Sequence, residues 1–343
     1  MTVLVTFFCF LWCLLHSIPK LYLFSEMLIM KKVYHVCLSA GSSGLLCRVD
    51  EDYIRLVNCI VLAAYSNSSF LLAYSVMSNH VHICVRTSDL TGFIKKWRYA
   101  YTRYFNMKYR RSGRLGGDPF VVELKGIFHI LTAIAYVLRN PLHHGVAATP
   151  FGYRYSSVSA VFRNELGMQP SVTLPHKSMY LHLPDQFSVP EEYKMDMTGM
   201  LLPECVIDVE DVEHLFTTAR SYLYYMNRLS GKKWEEEQAA DGMGQLPITI
   251  ESIEHGVGLN DIRTMLNNEF GKANYNAVSD ITLCELIDGE CLSMHGGGTI
   301  YELDSDVRMK MAESLVRKRR LPMAQVCRCL AIPNPYESQS ATP

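Results

Sequence analysis

The chain has 343 residues, 49% of them apolar and 20% charged, with a formal net charge of −1. That excludes a chain too small or too charged to bury a core, and leaves room for two domains. The near-neutral total hides an asymmetry: residues 31–165 hold 17 Lys and Arg against 7 Asp and Glu, a net of +10, and the chain from Leu166 onward carries about −11. A basic front and an acidic back imply two modules with different partners, nucleic acid being the natural one for the basic module.

The 11 cysteines include no Cys-x-x-Cys pair, and neither Cys9/Cys13 nor Cys327-Arg-Cys329 matches a common zinc spacing. They read as reduced, buried thiols of a cytoplasmic protein. Residues 3–18 form an apolar run of about sixteen, short of the roughly twenty that span a bilayer. No basic segment follows Met1 and no small-residue cleavage site follows the run, so it is a poor signal peptide. Between a membrane anchor and a start upstream of the true one at Met27 or Met30, the second is preferred. Residues 1–30 are therefore set outside the fold, and no membrane partner is expected.

From Lys32 the elements follow in order. Val33–Leu38 has the β-branched and aromatic content of a strand. Asp50 is placed as the N-cap of a helix to about Tyr65, with Ile54, Val57, Val61 and Ala64 on one face. Phe70–Val76 is a second strand, and Ser78-Asn79 turns it into a third that begins at His80. A helix over Leu90–Tyr109, a Gly-rich loop at Ser112–Gly117, a short strand at Pro119–Leu124 and a helix from Gly126 to Arg139 complete the module. The order β-α-β-β-α-β plus one helix fits a ferredoxin-like α+β sandwich with one sheet face free for a site.

His80-Val81-His82 heads the third strand. Residues two apart share a strand face, so the two imidazoles project side by side, which is half of a metal site. On the last helix His129, Thr132, Tyr136 and Asn140 fall on one stripe, with Tyr136 one turn before Asn140 and Pro141 closing the helix. On the helix at Leu90–Tyr109, the residues Leu90, Phe93, Ile94, Trp97, Tyr101, Tyr104 and Phe105 make a core stripe. Lys95, Lys96, Arg98, Arg103, Lys108, Arg110, Arg111 and Arg114 decorate the rest of that helix and the following loop, almost uninterrupted by acidic residues, and read as a phosphate-backbone track.

Taken in order, Tyr34-His35-Val36, Asp50-Glu-Asp52-Tyr53, Tyr74-Ser-Val-Met77-Ser-Asn79-His80-Val81-His82, Tyr104-Phe105-Asn106, Tyr136-Val-Leu-Arg-Asn140-Pro141-Leu142-His-His-Gly145 and Tyr155-Ser156-Ser157 resemble one family. It is the REP-associated tyrosine transposases, a branch of the single-tyrosine HUH transposases of bacterial insertion sequences. The resemblance covers residues 31–165. It implies the HUH version of the ferredoxin-like sheet, with His80 and His82 as metal ligands, Asn140 as the third protein ligand and Tyr136 as nucleophile. It further implies Mg²⁺ or Mn²⁺ and a single-stranded DNA hairpin as partner. Cleavage and rejoining would pass through a 5′-phosphotyrosine, with no nucleotide cofactor, and a homodimer is compatible with all of this. The stretch Phe120-Val-Val-Glu123-Leu-Lys125-Gly departs from the basic or aromatic residues that family members commonly carry there. Two alternatives are an HUH nickase of replication or conjugation and a catalytically inactive, transposase-derived nucleic-acid-binding protein.

Behind this module, residues 166–200 carry Pro170, Pro175, Pro184 and Pro190 and read as a linker. Residues 201–343 form an acidic, mainly helical domain, with helices expected at Val212–Leu229, Ser252–Phe270 in part and Asp304–Arg319. With Pro322–Leu330 the last gives the start of a helix-turn-helix over 304–332 whose continuation is lost in Ile332-Pro-Asn-Pro335. The competing reading is a helical unit for assembly or regulation.

Overall fold

A computed structural model describes residues 31–41, 44–144, 146–147, 149–173, 182–227, 278–296 and 298–336. The apolar run at 3–18, the helix expected at Ser252–Phe270 and the end of the one expected at Val212–Leu229 lie outside these. Among the described residues no helix is long and apolar enough to cross a membrane.

The front module is a mixed α/β unit of four antiparallel strands: β1 (Lys32–Ser39), β2 (Phe70–Val76), β3 (His80–Thr87) and β4 (Phe120–Leu124), in the order β2-β3-β1-β4. Three helices join them: α1 (Asp50–Ser66), α2 (Leu90–Lys108) and α3 (Ile127–His143). This is the ferredoxin-like strand order. Val36, Leu38, Val81, Ile83 and Val85 point to one face, are almost fully buried, and join Val57, Ile60, Phe93, Trp97 and Phe105 of α1 and α2 in one core. Each such side chain contributes about 1.5–3 kcal/mol by leaving water. The alternate residues His35, Cys37, His80, His82 and Cys84 point the other way, where α3 lies.

The edge of β2 is sealed by the segment after α3. Ser156 bridges Ser75, Val76 N donates to Tyr155 O at 2.9 Å, and Tyr74 N donates to Ser157 Oγ at 3.0 Å. Further along, Ile207 bridges Leu71 beside the β-bulge at Leu71/Ala73. These contacts account for the Tyr155-Ser156-Ser157 motif: it covers an otherwise unpaired strand edge. At the other end of β1, the left-handed Gly116 (φ 72°) lets the loop approach Ser39 so closely that a Cβ there would lie 2.9 Å from its carbonyl oxygen.

Two expectations from the sequence give way. Val49, not Asp50, is the N-cap of α1; Asp50 is its first residue and accepts from Tyr155 Oη at 2.6 Å. Asp52 does the capping, its carboxylate taking the backbone N–H groups of Arg48 (2.8 Å) and Val49 (3.2 Å). Second, α3 does not stop before Pro141. His144 N still bonds Asn140 O at 3.0 Å, and Val146 N and Ala147 N both return to Pro141 O. A proline so near the end removes one ladder bond and leaves the last turn standing.

The stretch expected as a linker is held to α1 at His182, Leu183 and Gly199, and just beyond it at Leu201: Asn58 Nδ2 donates to His182 O and Gly199 O, Leu201 N donates to Asn58 Oδ1, and Arg55 donates to Leu183 O. Its prolines exclude a helix, and they do not exclude docking. Beyond it come α4 (Val209–Phe216) and α5 (Ala219–Asn227), which join the main core. The helices α6 (Asp280–His295), α7 (Ser305–Arg319) and α8 (Met323–Cys329) form a second core around Leu283, Ile287, Leu315, Val326 and Leu330. Leu45 of the front module is part of that second core. Of the expected helix-turn-helix, α8 has Val326, Cys327, Arg328 and Cys329 buried, so the inner part of that helix is committed to packing.

Candidate metal and nucleophile site

The β2–β3 turn fixes the start of the site. Met77 N bonds His80 O at 2.8 Å, closing the hairpin, and Ala40 N donates to Asn79 O at 2.7 Å. The antiparallel register then sets Ser39 opposite His80 and Cys37 opposite His82, with His35 one step further along the same face. α3 crosses this face and brings Tyr136 and Asn140 down on it.

The four residues singled out from the sequence meet. His80 Nε2 and Asn140 Oδ1 are 2.9 Å apart. The rings of His80 and His82 stand edge to face with centroids 5.1 Å apart, and the Tyr136 ring stands edge-on to His82 at 5.3 Å. His80, His82 and Asn140 have no solvent exposure and Tyr136 has 9%.

Three further residues here had no role assigned from the sequence. His35 Nε2 lies 3.0 Å from His82 Nδ1, with the two ring planes within 14° of each other and their centroids 5.1 Å apart. Asn79 Oδ1 lies 2.8 Å from His80 Nδ1. The buried His144 ring packs on His80 at 4.8 Å. The only signal for His35 was its place in the Tyr34-His35-Val36 motif; its partner depends on strand register.

Burial keeps all three strand imidazoles neutral at pH 7. Loss of hydration pushes His35 down to about 3 and His80 to about 4, and holds His82 well below its usual value, with neighbouring imidazoles adding to the last. A neutral imidazole carries one N–H. His80, however, faces a carbonyl oxygen at both nitrogens, Asn79 Oδ1 and Asn140 Oδ1. If Nδ1–H donates to Asn79, then two lone pairs face each other across the 2.9 Å between Nε2 and Asn140. Three arrangements relieve this: the Asn140 amide turns to offer Nδ2–H, the Asn79 amide turns to offer its own orphaned Nδ2–H to Nδ1 so that Nε2–H donates to Asn140, or a cation lies between the two acceptors. Two ligand atoms about 3.0 Å apart is what adjacent corners of an octahedral shell with bonds of about 2.1 Å require. His82 Nε2 and Asn140 Nδ2 are also buried without a hydrogen-bond partner. With His82 Nδ1–H donating to His35, the free lone pair of His82 sits on Nε2, the tautomer of a ligand. Among the described residues no group of three or more His, Cys, Asp or Glu is arranged for a metal. The candidate donor set here is two imidazoles and a carboxamide.

The basic residues of α2 are elsewhere. α2 packs behind the sheet, on the face opposite His80 and His82, and much of its charge is already used. Lys96 Nζ binds Ser66 O at 2.8 Å, and Arg98 binds Gly117 O at 2.8 Å. Lys108 pairs with Glu51 and the buried Asp52, both at 2.9 Å. Arg110 pairs with Glu302 at 3.4 Å, Arg111 binds Asn106 Oδ1 at 2.7 Å, and Arg114 pairs with Asp118. Lys95 and Arg103 are exposed on the helix.

No family model matches the chain, and no curated protein does. Among solved structures it is similar to a REP-associated tyrosine transposase bound to a REP hairpin, at 13% identity and a TM-score of 0.33, over 40% of this chain and 82% of that one.

Proposed function

We propose that this chain is a metal-dependent DNA strand transferase of the single-tyrosine transposase type, acting on single-stranded DNA beside a hairpin. One observation carries the reading: a tyrosine and an asparagine one turn apart on α3 meet a His-x-His pair on β3 in a single buried cluster.

In this reading His80, His82 and Asn140 hold Mg²⁺ or Mn²⁺, and His35 and Asn79 fix the two rings by their second nitrogens. When bound, the ion supplies Lewis-acid polarisation of a non-bridging phosphate oxygen. All three ligands are neutral, so none of its charge is cancelled before DNA arrives. Tyr136 is the nucleophile. Its phenol oxygen forms a bond to phosphorus as the bond to the 3′-oxygen breaks; the phenol loses its proton and the departing oxygen gains one. The product is a 5′-phosphotyrosine and a free 3′-hydroxyl. Because the phosphodiester energy is retained, a second 3′-hydroxyl can reverse the step on another strand without a nucleotide cofactor. Lys95 and Arg103, exposed on α2 itself, contribute phosphate attraction from behind the sheet.

A second reading, a transposase-derived nucleic-acid-binding protein without strand transfer, is favoured by the complete burial of both imidazoles and Asn140. The first reading requires the cluster to open for a phosphate. The two separate in one assay: full-length protein is incubated with labelled hairpin-bearing single-stranded DNA and Mn²⁺. Strand transfer gives a covalent protein–DNA adduct that EDTA and Tyr136→Phe both abolish. Binding with no adduct selects the second reading.

A further inference from the structure

The acidic C-terminal unit touches the front module at the turn that presents His80. Ser78 Oγ donates to Asp280 Oδ2 at 2.6 Å, and Ser78 is only 4% exposed. Asp280, the first residue of α6, is itself gripped from α8: Arg328 at 3.1 Å and Gln325 Nε2 at 2.9 Å, both to Oδ1. Arg328 is 2% exposed, so this is a buried ion pair rather than a surface one. Burial alone would raise the Asp280 carboxyl, yet Arg328, Ser78 and Gln325 together hold it below the usual range.

Next to this contact, Arg48 is also buried. It crosses to the same unit, donating to Cys329 O at 2.6 Å and to Asp288 Oδ1 at 2.7 Å, and Tyr301 lies under its guanidinium. Between the two crossings, Leu46 N and Cys47 N both donate to Ser78 O, at 2.7 and 2.9 Å. Residues 46–48, the Ser78-Asn79 turn and the α6–α8 unit thus form one hydrogen-bonded body. Asn79 in turn orients the His80 ring through Nδ1.

We infer that the C-terminal helical unit serves the front module's site as a clamp, and that Asp280 is a positioning residue that holds the Ser78-Asn79 turn and hence the His80 ring. This gives the unit a role the sequence left open, and it rests on the proposed function for the claim that His80 is a ligand. An anionic acceptor suits such a clamp, because a serine hydroxyl bonded to a charged carboxylate is held more firmly than one bonded to a neutral group. Removing the bond frees the turn without touching a ligand.

The test uses the full chain and the variants Ser78→Ala, Asp280→Ala and Ser78→Ala/Asp280→Ala. Amide hydrogen exchange is read at Ala40, Leu46 and Cys47, whose N–H groups end on the turn's carbonyls. Exchange there is expected to rise about tenfold or more in either single variant, with the double variant little worse than Asp280→Ala alone, because that variant has already lost the Ser78–Asp280 bond. Ser78→Thr, which keeps a hydroxyl, is expected to restore most of the protection. The Mn²⁺ concentration giving half-maximal metal binding, followed by electron paramagnetic resonance, is expected to rise several-fold in Ser78→Ala and to return toward the parent in Ser78→Thr. Unchanged exchange in Ser78→Ala would overturn the clamp, and this variant leaves the Asp280–Arg328 pair intact even if Asp280→Ala unfolds the unit. Raised exchange with an unchanged Mn²⁺ requirement would overturn the positioning role. Failure of the parent chain to bind Mn²⁺ or form an adduct would count against the proposed function, while the exchange result would still decide whether the clamp exists.

Discussion

On the α1–α2 side of the sheet, Val81, Ile83 and Val85 share a core with Phe93, Trp97 and Phe105, and nearly every group there is apolar. On the α3 side, the residues between them are His80, His82 and, across the register, His35, meeting Asn140 and Tyr136. Both faces are buried to the same degree. They differ in how many polar atoms burial strands. The first face is apolar apart from two ring atoms without a partner, Trp97 Nε1 and Tyr74 Oη, whereas the second gathers orphaned polar atoms in one cluster, among them His82 Nε2, His35 Nδ1 and the Nδ2 of Asn79 and Asn140. A sheet that needed only to fold would have filled both faces alike, because each unsatisfied buried polar group costs about 1–3 kcal/mol. The face where this cost is concentrated is where activity is to be sought.

The largest effect is expected on the apolar face. Phe93→Ala, at a position with no exposure, is expected to destabilise by about 3–5 kcal/mol. Urea unfolding measures it, and adduct formation per folded molecule should be unchanged. A loss below about 1 kcal/mol would mean the two faces do not divide labour in this way. On the polar face the same kind of substitution should do the opposite. Asn140→Leu removes a carboxamide whose Nδ2 is buried without a partner, and puts a better helix former in its place. Stability is expected to stay within about 1 kcal/mol of the parent or to rise. Mn²⁺ binding should fall at least tenfold. Marked destabilisation would show that the amide is there for structure.

The smallest effect is expected from Lys95→Ala/Arg103→Ala on the outside of α2. Stability should move by no more than about 0.5 kcal/mol. Hairpin binding should weaken by a similar factor for every DNA sequence, with the salt slope reduced by about 1–2. A sequence-selective loss would mean that α2 reads bases.

Much of the front module was legible because period and composition dictate it. β2 was placed at Phe70–Val76, where it is found, and the β-α-β-β-α-β order carries the sheet order with it. The pairing of His80 with His82 followed from strand alternation, and that of Tyr136 with Asn140 from the helical repeat. His35 was not readable as a site residue, since its neighbour is set by the Cys37–His82 register and not by anything local. The clamp was harder still. Arg48 and Asp288 are 240 residues apart, and Ser78 and Asp280 are 202 apart, joined by no repeat or motif. The α2 basic residues show the converse hazard: a run with few acidic residues looks free for phosphate, yet Lys108 is tied to Asp52 and Arg98 to the loop at Gly117. The partners of Lys96, Lys108 and Arg110 lie 30, 56 and 192 residues away in the chain.

In the proposed function, the polar face exists to let Tyr136 attack a phosphodiester. The most direct measurement is mass spectrometry of the tryptic peptides of full-length protein after reaction with hairpin-bearing single-stranded DNA and Mn²⁺, with nuclease trimming of the bound strand. A nucleotide phosphate is expected on Tyr136 alone, absent when EDTA is added first. Modification at another tyrosine, or none in protein shown to bind both Mn²⁺ and the hairpin, would contradict the assignment.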